Sequence, residues 1–235
     1  MQSVVITGAG RGIGRAIAEA FHARGDRVAI IDQKKTDTPC ALFFEGDVGR
    51  KDDLEAFARA CMKQFDQVDV LVNNAMETKG GYPDCGWEDF LHAQAVGVAA
   101  PYYLTTLLAP RFAQGASVIN ISSTRAFQSQ RGTESYTAAK GGITALTHAL
   151  AMSLAGKARV NAIAPGWIDT TGSTFAGPDA GQHPVGRVGV PQDIVQAVLF
   201  LCAEQASFIT GQVLNVDGGM SKRMIYHGDE GWALT

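Results

Sequence analysis

The chain has 235 residues, of which 46% are hydrophobic, and its formal net charge is −3. This length supports one sizeable core and predicts a single domain over 1–235. There is no basic stripe that would predict nucleic-acid binding, and the apolar runs are shorter than the roughly 18 residues of a membrane span. The N-terminus shows no signal-peptide pattern, and we interpret the cysteines as free thiols of a cytoplasmic protein. These cysteines are Cys40, Cys61, Cys85 and Cys202.

Short runs rich in valine and isoleucine alternate with helical patterns along the chain. The strand runs lie at 4–6, 27–31, 41–44, 68–72, 117–121, 159–163 and 212–216. The helical patterns cover roughly 12–24, 50–65, 87–110, 134–154 and 191–203. Apolar strands joined by helices are typical of parallel sheets covered on both faces. The alternation therefore predicts an α/β fold with one Rossmann-like, doubly wound parallel sheet of about seven strands flanked by helices.

Two segments lie outside this alternation. Residues 170–186 are rich in Gly, Pro, Ser and Thr without an apolar period, which predicts either a substrate lid or a plain long loop. The side chains near this segment would suit several small polar or moderately apolar ligands, and they are Trp167, Phe175, His183 and Arg187. Residues 220–235 carry Tyr226 and Trp232, so we expect a tail that packs against a neighbouring subunit, with a frayed terminus as the alternative.

A glycine-rich loop follows the first strand run. Gly8, Gly12 and Gly14 form the pattern G-x-x-x-G-x-G in front of an amphipathic helical stretch. Glycines let the backbone approach a pyrophosphate, and the helix N-terminus offers N–H groups and a positive dipole end to it. Such a loop alone is weak evidence, because it can also be a plain turn between a strand and a helix.

An acidic residue at the end of the second strand strengthens this interpretation. Asp32 lies 20 residues after Gly12, where a carboxylate accepts hydrogen bonds from the adenine ribose hydroxyls. The alternative is a solvated aspartate at a strand end. A carboxylate here also repels a 2′-phosphate, so we predict NAD, with NADP less favoured. Arg11 and Lys34 weaken this preference, because cations would attract that phosphate.

A tyrosine and a lysine form the second candidate site. Tyr136 and Lys140 are four residues apart in a helical pattern and so share one face. A free tyrosine has a pKa of about 10, and a neighbouring ammonium lowers it. We therefore predict that Tyr136 acts as general acid and base, with its pKa lowered by Lys140 and a nicotinamide ring. A serine pair, Ser122-Ser123, closes the fifth strand upstream, and no His/Cys spacing predicts a metal.

Taken in order, these motifs resemble the short-chain dehydrogenase/reductase family over essentially the whole chain. The matching segments are 7–14, 46–48, 73–75, 121–123, 136–140, 159–166, 209–212 and 216–219. The resemblance implies an NAD(P)-dependent oxidoreductase that transfers a hydride between the cofactor and a secondary alcohol or ketone. It places Ser123, rather than Ser122, at the catalytic spacing to Tyr136. It also implies a homotetramer or dimer through two long helices, where the following small residues allow either subunit contact or internal packing: Ala138, Ala139, Gly142 and Ala145.

The same resemblance assigns the cofactor contacts. Asp47 and Val48 would hold the adenine, and Asn74 and Ala75 would line its ribose. Lys140 would bind the nicotinamide ribose, and residues after Pro165-Gly166 would meet the carboxamide. The full predicted set is Gly8, Arg11, Gly12, Ile13, Gly14, Asp32, Asp47, Val48, Asn74, Ala75, Tyr136, Lys140, Pro165, Gly166, Ile168 and Thr170.

Two positions depart from the family pattern. Met76 stands where the family has glycine, and Gln94 stands where it has an asparagine that supports a water on Lys140. We interpret Gln94 as the substitute for that asparagine in a proton relay, where its amide would hold the water or contact Lys140 directly. The alternative is a Gln94 that points away from the site.

Two other functions stay open. An NADPH-dependent 3-oxoacyl-carrier-protein-type reductase would need a basic docking surface, which the net charge does not support. A non-catalytic nucleotide-sensing protein is supported only by Met76 and Gln94. The presence of Ser123, Tyr136 and Lys140 argues against it. The expected partner is a small alcohol or carbonyl compound whose identity these motifs do not give.

Overall fold

One seven-stranded parallel sheet forms the centre of the molecule. The structure is a computed structural model and describes residues 1–231. The strands are β1 Ser3–Thr7, β2 Arg27–Asp32, β3 Leu42–Glu45, β4 Val68–Asn73, β5 Phe112–Ile121, β6 Ala158–Pro165 and β7 Val213–Val216. They lie in the order β3-β2-β1-β4-β5-β6-β7, and every pairing is parallel. The predicted doubly wound α/β fold is thus confirmed.

Helices cover both faces of the sheet. They are α1 Gly12–Ala23, α2 Lys51–Gln64, α3 Trp87–Gln94, α4 Ala100–Leu108, α5 Glu134–Ser153, α6 Pro178–Gly181 and α7 Pro191–Cys202. Successive strand residues point to opposite faces, so Val4 and Ile6 pack with α1 and α7, whereas Val5 packs with α2, α4 and α5. Burial on both faces explains why these strands are continuous apolar runs.

The order of the strands reverses at β1, which lies between β2 and β4. In such sheets a crevice opens at the carboxyl ends of the strands where the order reverses. The glycine-rich loop follows β1, Asn74 follows β4 and the serine pair follows β5. The topology therefore brings the predicted motifs to one edge of the sheet.

The predicted helix at 87–110 is wrong in one respect. Between α3 and α4 the chain forms a π turn at Ala95–Ala99. Pro101 has no N–H to donate to the carbonyl of Gly97, four residues earlier, so the regular hydrogen-bond ladder is interrupted there. Gly97 is also in close contact with α5, because a Cβ built on it would lie 2.7 Å from Cβ of Ala139.

Residues 170–186 are more ordered than their composition predicts. They contain the short helix α6, and the preceding Asp169 carboxylate accepts hydrogen bonds from the backbone N–H groups of Thr171 and Ser173 at 2.9 and 2.7 Å. Phe175 packs edge-on against Trp167, with ring centroids 4.8 Å apart. Local bonds from side chain to backbone thus replace an apolar period as the source of order.

The C-terminal tail begins with a 3-10 turn at Met220–Lys222, and Tyr226 is exposed. Trp232, the other aromatic residue of the predicted packing surface, lies outside the described residues. The expected contact with a neighbouring subunit stays a prediction. Within residues 1–231 no helix has the length and apolar character needed to cross a membrane, and no cluster of three His, Cys, Asp or Glu side chains is arranged to hold a metal ion.

Candidate active site

A first cavity of about 550 Å³ opens at the carboxyl ends of β1, β2 and β4. Most of the predicted cofactor-binding residues line it: Gly8, Arg11, Gly12, Ile13, Gly14, Asp32, Asp47, Val48, Asn74, Ala75 and Thr170. Seven further lining residues were not in the predicted set, and these are Ile31, Gln33, Gly46, Met76, Glu77, Val96 and Thr171. The fold thus gathers into one cavity residues that are far apart in the sequence.

The glycine-rich loop is tied to the end of β4. The Asn74 side-chain amide donates to the carbonyls of Thr7 and Gly8 at 3.0 and 2.8 Å. Gly14 lies so close to this junction that a Cβ on it would be 2.3 Å from the Gly8 carbonyl oxygen. Any side chain at Gly14 would therefore displace the loop, which explains the glycine there.

Asp32 lies at the wall of the first cavity. One carboxylate oxygen accepts the Gly10 N–H at 2.8 Å and the other accepts the Lys34 N–H at 3.3 Å. These bonds fix the carboxylate beside the loop, as the predicted contact with ribose hydroxyls requires. Arg11 also lines the cavity, whereas Lys34 is exposed and is not part of its lining.

A second cavity of about 870 Å³ adjoins the ends of β5 and β6. It is lined by four predicted residues, Ser123, Tyr136, Gly166 and Ile168. The others are Thr78, Thr124, Arg125, Gln128, Ser129, Gln130, Trp167, Gln182 and Met220. Pro165, the last residue of β6, is buried and lines neither of the two cavities. The structure thus places the two candidate catalytic hydroxyls together at one cavity.

The two serines after β5 have different surroundings. The Ser122 hydroxyl points inward, 2.7 Å from the Thr144 hydroxyl and 3.1 Å from the Lys140 carbonyl oxygen. The Ser123 hydroxyl faces the cavity and accepts the Arg125 N–H at 3.2 Å. This difference supports Ser123 over Ser122 as the residue that meets a substrate.

Lys140 is buried, with 4% of its surface exposed. Its Nζ donates to the Ile121 carbonyl oxygen at 2.6 Å and lies 5.4 Å from the centroid of the Tyr136 ring. Burial disfavours the charged form and lowers the pKa of Lys140 to about 8.

The pKa of Tyr136 corrects the expectation from the sequence. It is raised above its ordinary value, chiefly because burial disfavours the phenolate, whereas the Ser123 hydroxyl and the Arg125 guanidinium lower it in part. Lys140 directs its ammonium at the Ile121 carbonyl and has a lowered pKa of its own. The ammonium therefore does not supply the lowering that we predicted.

Gln94 lies beside α5, and its hydrogen-bond partner differs from the predicted one. Its side-chain amide nitrogen donates to the Ser135 carbonyl oxygen at 2.9 Å, whereas Lys140 donates to Ile121. The prediction of a direct contact between Gln94 and Lys140 is therefore wrong. Met76 lies nearby, since a Cβ on Gly97 would be 2.9 Å from its sulfur.

Two of the four small residues predicted to allow close approach on α5 pack against other parts of the chain. Ala139 faces Gly97, and a Cβ on Gly142 would lie 2.8 Å from a methyl group of Val98. These two positions therefore serve packing within the chain. Ala138 and Ala145 are exposed, so a subunit contact through α5 would use them.

Comparison with known proteins identifies the family of the chain. A family model described as "Enoyl-(Acyl carrier protein) reductase" matches residues 8–221. An uncharacterized oxidoreductase of Thermotoga maritima is 40% identical, over 94% of this chain and 96% of the relative. An apo SCOR enzyme from Clostridium thermocellum superposes with a TM-score of 0.93 and 44% identity, covering 100% of this chain and 98% of the other.

A further solved structure is also similar to this chain. The 3-ketoacyl-(acyl-carrier-protein) reductase of Brucella melitensis, in complex with NADH, is 34% identical with a TM-score of 0.84. The match covers 94% of this chain and 98% of that one. The chain therefore belongs to the short-chain dehydrogenase/reductase family of oxidoreductases.

Proposed function

We propose that the protein is an NAD-dependent dehydrogenase/reductase that interconverts a secondary alcohol and a ketone with Tyr136 as general acid and base. The observation that carries this proposal is the juxtaposition of the two cavities. One is lined by the glycine-rich loop and Asp32, and the other by the Ser123 and Tyr136 hydroxyls. A dinucleotide in the first would bring its nicotinamide end toward the second, since Thr170 lines the first and Ile168 the second.

The residues present fit a dinucleotide. The N-terminus of α1 offers N–H groups to a pyrophosphate, and the fixed Asp32 carboxylate offers acceptors to ribose hydroxyls. When bound, the cofactor supplies the hydride acceptor or donor. We assign its adenine end to Asp47 and Val48, which line the first cavity, and its nicotinamide ribose to the buried Lys140.

The proton chemistry belongs to the chain's own side chains. Ser123 donates a hydrogen bond to the substrate oxygen, and Tyr136 takes the proton during alcohol oxidation and returns it during reduction. The buried Lys140 orients the ribose. Because its pKa is lowered to about 8, it also exchanges protons more readily near neutral pH than an exposed lysine does.

Residues 170–186 are proposed as the lid over these sites. Thr170 and Thr171 border the first cavity and Gln182 borders the second, so the segment spans both. The tail extends this cover, since Met220 lines the second cavity and Arg223 donates to the Gly181 carbonyl.

We assign Gln94 a positioning role for Tyr136 through the Ser135 carbonyl. Gln94→Ala is expected to lower kcat about threefold to tenfold with little change in KM for NAD, because a small displacement of the tyrosine weakens proton transfer. The pH profile of kcat should keep its shape. Gln114→Ala, which removes a similar bond to the distant Gly156 carbonyl, is the matched control.

A second variant separates positioning from the predicted relay. Asparagine keeps the amide but is one methylene shorter, so Gln94→Asn should lose as much kcat as Gln94→Ala if the bond to Ser135 matters. A relay through water would instead be largely restored by asparagine. Unchanged turnover in Gln94→Ala at every pH would refute both roles.

Cofactor preference is expected to depend on Asp32. Asp32→Asn keeps the shape and removes the charge, and it should shift the ratio of kcat/KM for NADP to that for NAD upward by about 10-fold, as like-charge repulsion of a 2′-phosphate disappears. Asp32→Ser should reduce the preference for NAD over NADP further. Asp37→Ser, which removes an exposed carboxylate outside the cavity lining, is the control. A wild-type enzyme with a lower KM for NADP than for NAD would contradict the assignment.

A 3-oxoacyl-carrier-protein reductase is the second candidate, because the Brucella melitensis structure and the family model carry acyl-carrier-protein names. The test is reduction of acetoacetyl-carrier-protein with NADPH and NADH in parallel. Fast reduction with NADPH would favour this second activity, whereas oxidation of free alcohols with NAD favours the first. Absence of both, with cofactor still bound, would favour a non-catalytic sensor.

A further inference from the structure

The second cavity has an unusual distribution of charge. Among its lining residues, all within the described part of the chain, Arg125 is the sole charged side chain, and none is Asp or Glu. The remaining polar side chains of the lining are neutral, namely hydroxyls, amides and the indole of Trp167. A cavity lined by one sign of charge carries a positive potential that attracts anions.

Arg125 lies directly beside the candidate catalytic hydroxyls. Its backbone N–H donates to the Ser123 Oγ at 3.2 Å, and its guanidinium carbon lies 5.8 Å from the centroid of the Tyr136 ring. The short 3-10 turn Thr124–Ala126, which Ser123 caps, fixes this placement. A group bound to the guanidinium would thus lie a few bonds from a carbon held by Ser123 and Tyr136.

The guanidinium has donors to spare. Among the side chains that the structure describes, no carboxylate forms an ion pair with Arg125, whereas Arg187 forms a bidentate ion pair with Asp193 at 2.7 Å. One Arg125 nitrogen donates to the Gln130 side-chain oxygen. That neutral acceptor holds the side chain without cancelling its charge, and an arginine has five N–H donors in total.

We propose that Arg125 binds the carboxylate of a hydroxy-acid substrate, or of the matching oxo acid. This inference rests on the proposed dehydrogenase function and narrows its substrate class. A carboxylate matches the guanidinium fork and offsets the cost of covering an unpaired cation when the cavity closes. In the oxidation the carbinol C–H bond breaks and its hydride passes to NAD, the O–H proton passes to Tyr136, and the acid leaves as an oxo acid.

The rival ligand is a neutral polyol, which the amides of Gln128, Gln130 and Gln182 would recognise. The test therefore compares substrates that differ only in charge. NAD reduction is measured with 3-hydroxybutanoate against 3-hydroxybutanamide, with lactate against lactamide, and with gluconate against glucose. In the wild type, the acid of at least one pair should exceed its neutral partner in kcat/KM by about 10- to 100-fold, the range of a charge-assisted hydrogen bond.

Substitution locates the source of that preference. Arg125→Gln should bring the ratio of kcat/KM for the acid to kcat/KM for its neutral partner close to one, mainly through a higher KM for the acid. Arg125 also lowers the pKa of Tyr136 in part, which affects both substrates alike, so the ratio is the quantity that tests the site. Arg125→Lys should restore part of the preference, because the charge returns without the fork. Arg131→Gln, an equal charge change at an exposed residue outside the cavity lining, is the matched control and should leave the preference intact.

The inference and the proposed function fail in different ways. Turnover of the neutral partners alone, or an acid preference that persists in Arg125→Gln, would overturn the carboxylate site and leave the dehydrogenase standing. If no compound is oxidised, calorimetric titration of 3-hydroxybutanoate, lactate and gluconate into the enzyme–NAD complex decides. Binding that is lost in Arg125→Gln would then support the carboxylate site and contradict the proposed dehydrogenase function. If none of the three acids binds, the carboxylate site is overturned.

Discussion

Tyr136→Phe is expected to lower kcat by about 10³-fold, because positioned proton transfer contributes roughly 10²- to 10⁴-fold to such rates. NAD affinity should stay within about twofold, since the ring that lies beside Lys140 and Arg125 remains. The measurement is steady-state turnover with any oxidised substrate, together with titration of NAD. Retention of more than a tenth of wild-type kcat would mean that Tyr136 is not the proton carrier.

The control for this variant is a tyrosine of the same kind elsewhere in the molecule. The Tyr103 hydroxyl, in α4, donates to the Glu55 carboxylate at 2.6 Å and lines neither the first nor the second cavity. Tyr103→Phe therefore loses a hydrogen-bonded hydroxyl as Tyr136→Phe does, and its kcat should be unchanged. Equal losses in both variants would point to a general effect on the fold.

The pH dependence should follow the sign of the Tyr136 shift. Burial raises the pKa of this phenol, so the phenolate that accepts the proton forms in the alkaline range. Alcohol oxidation should therefore rise as the pH increases above neutral, and ketone reduction, which needs the phenol, should fall. An oxidation rate that is constant from pH 6 to pH 10 would contradict the assignment.

Lys140→Met is expected to weaken NAD binding and turnover, and at the same time to increase the free energy of unfolding near neutral pH. The ammonium orients the nicotinamide ribose in our proposal, so NAD affinity and kcat should each fall about 10-fold or more. The same side chain is 4% exposed, and burial alone lowers its pKa from 10.5 to about 8. A lysine this buried is thus held at a cost to stability.

The sign of that cost fixes its pH dependence. Below pH 8 the lysine is charged in both the folded and the unfolded chain, and the full penalty applies, about 3 kcal/mol at 1.36 kcal/mol per pKa unit. Between pH 8 and 10.5 the folded state releases the proton first and the penalty fades. The Ile121 carbonyl loses a donor in the variant, which offsets part of the gain.

Denaturant unfolding of the wild type and Lys140→Met at pH 7 and pH 10.5 measures this difference. The free energy of unfolding of the variant relative to the wild type should drop by about 3 kcal/mol between the two pH values. Lys63→Met changes an exposed lysine of α2 and should show no such pH dependence. If the difference in the free energy of unfolding between Lys140→Met and the wild type does not change with pH, burial does not lower the pKa of Lys140.

The parts of the fold that follow from short-range pattern were predictable from the sequence. β1, β2 and β4 are apolar runs bounded by polar residues, and their observed ends lie within a residue or so of the predicted ones. β5 begins at Phe112, whereas the sequence predicted it only from residue 117. The prediction missed the first residues because the exposed Gln114 and Gly115 interrupt the apolar run. The glycine loop and the Tyr136-Lys140 pair were found because each is a local spacing with a chemical reason.

What the sequence could not show depends on where side chains point after folding. The burial of Lys140 and its bond to Ile121 arise from the packing of α5 on β5, so the raised pKa of Tyr136 had no local signal. Arg125 follows the serine pair by two residues, but nothing in its neighbours indicates that it lines a cavity without an acidic partner. Gln94 was identified by position, yet its partner depends on the π turn that follows it.

That π turn also determines where the chain can change in length. One residue advances an α-helix by about 100°, so removing one from Ala95–Ala99 would turn α3 and α4 relative to each other. Gln94 would then point away from Ser135, or a residue larger than Gly97 would meet Ala139. Exposed connections absorb an inserted residue locally. The residue count between Trp87 and Leu108 is instead tied to the placement of the tyrosine on the neighbouring helix.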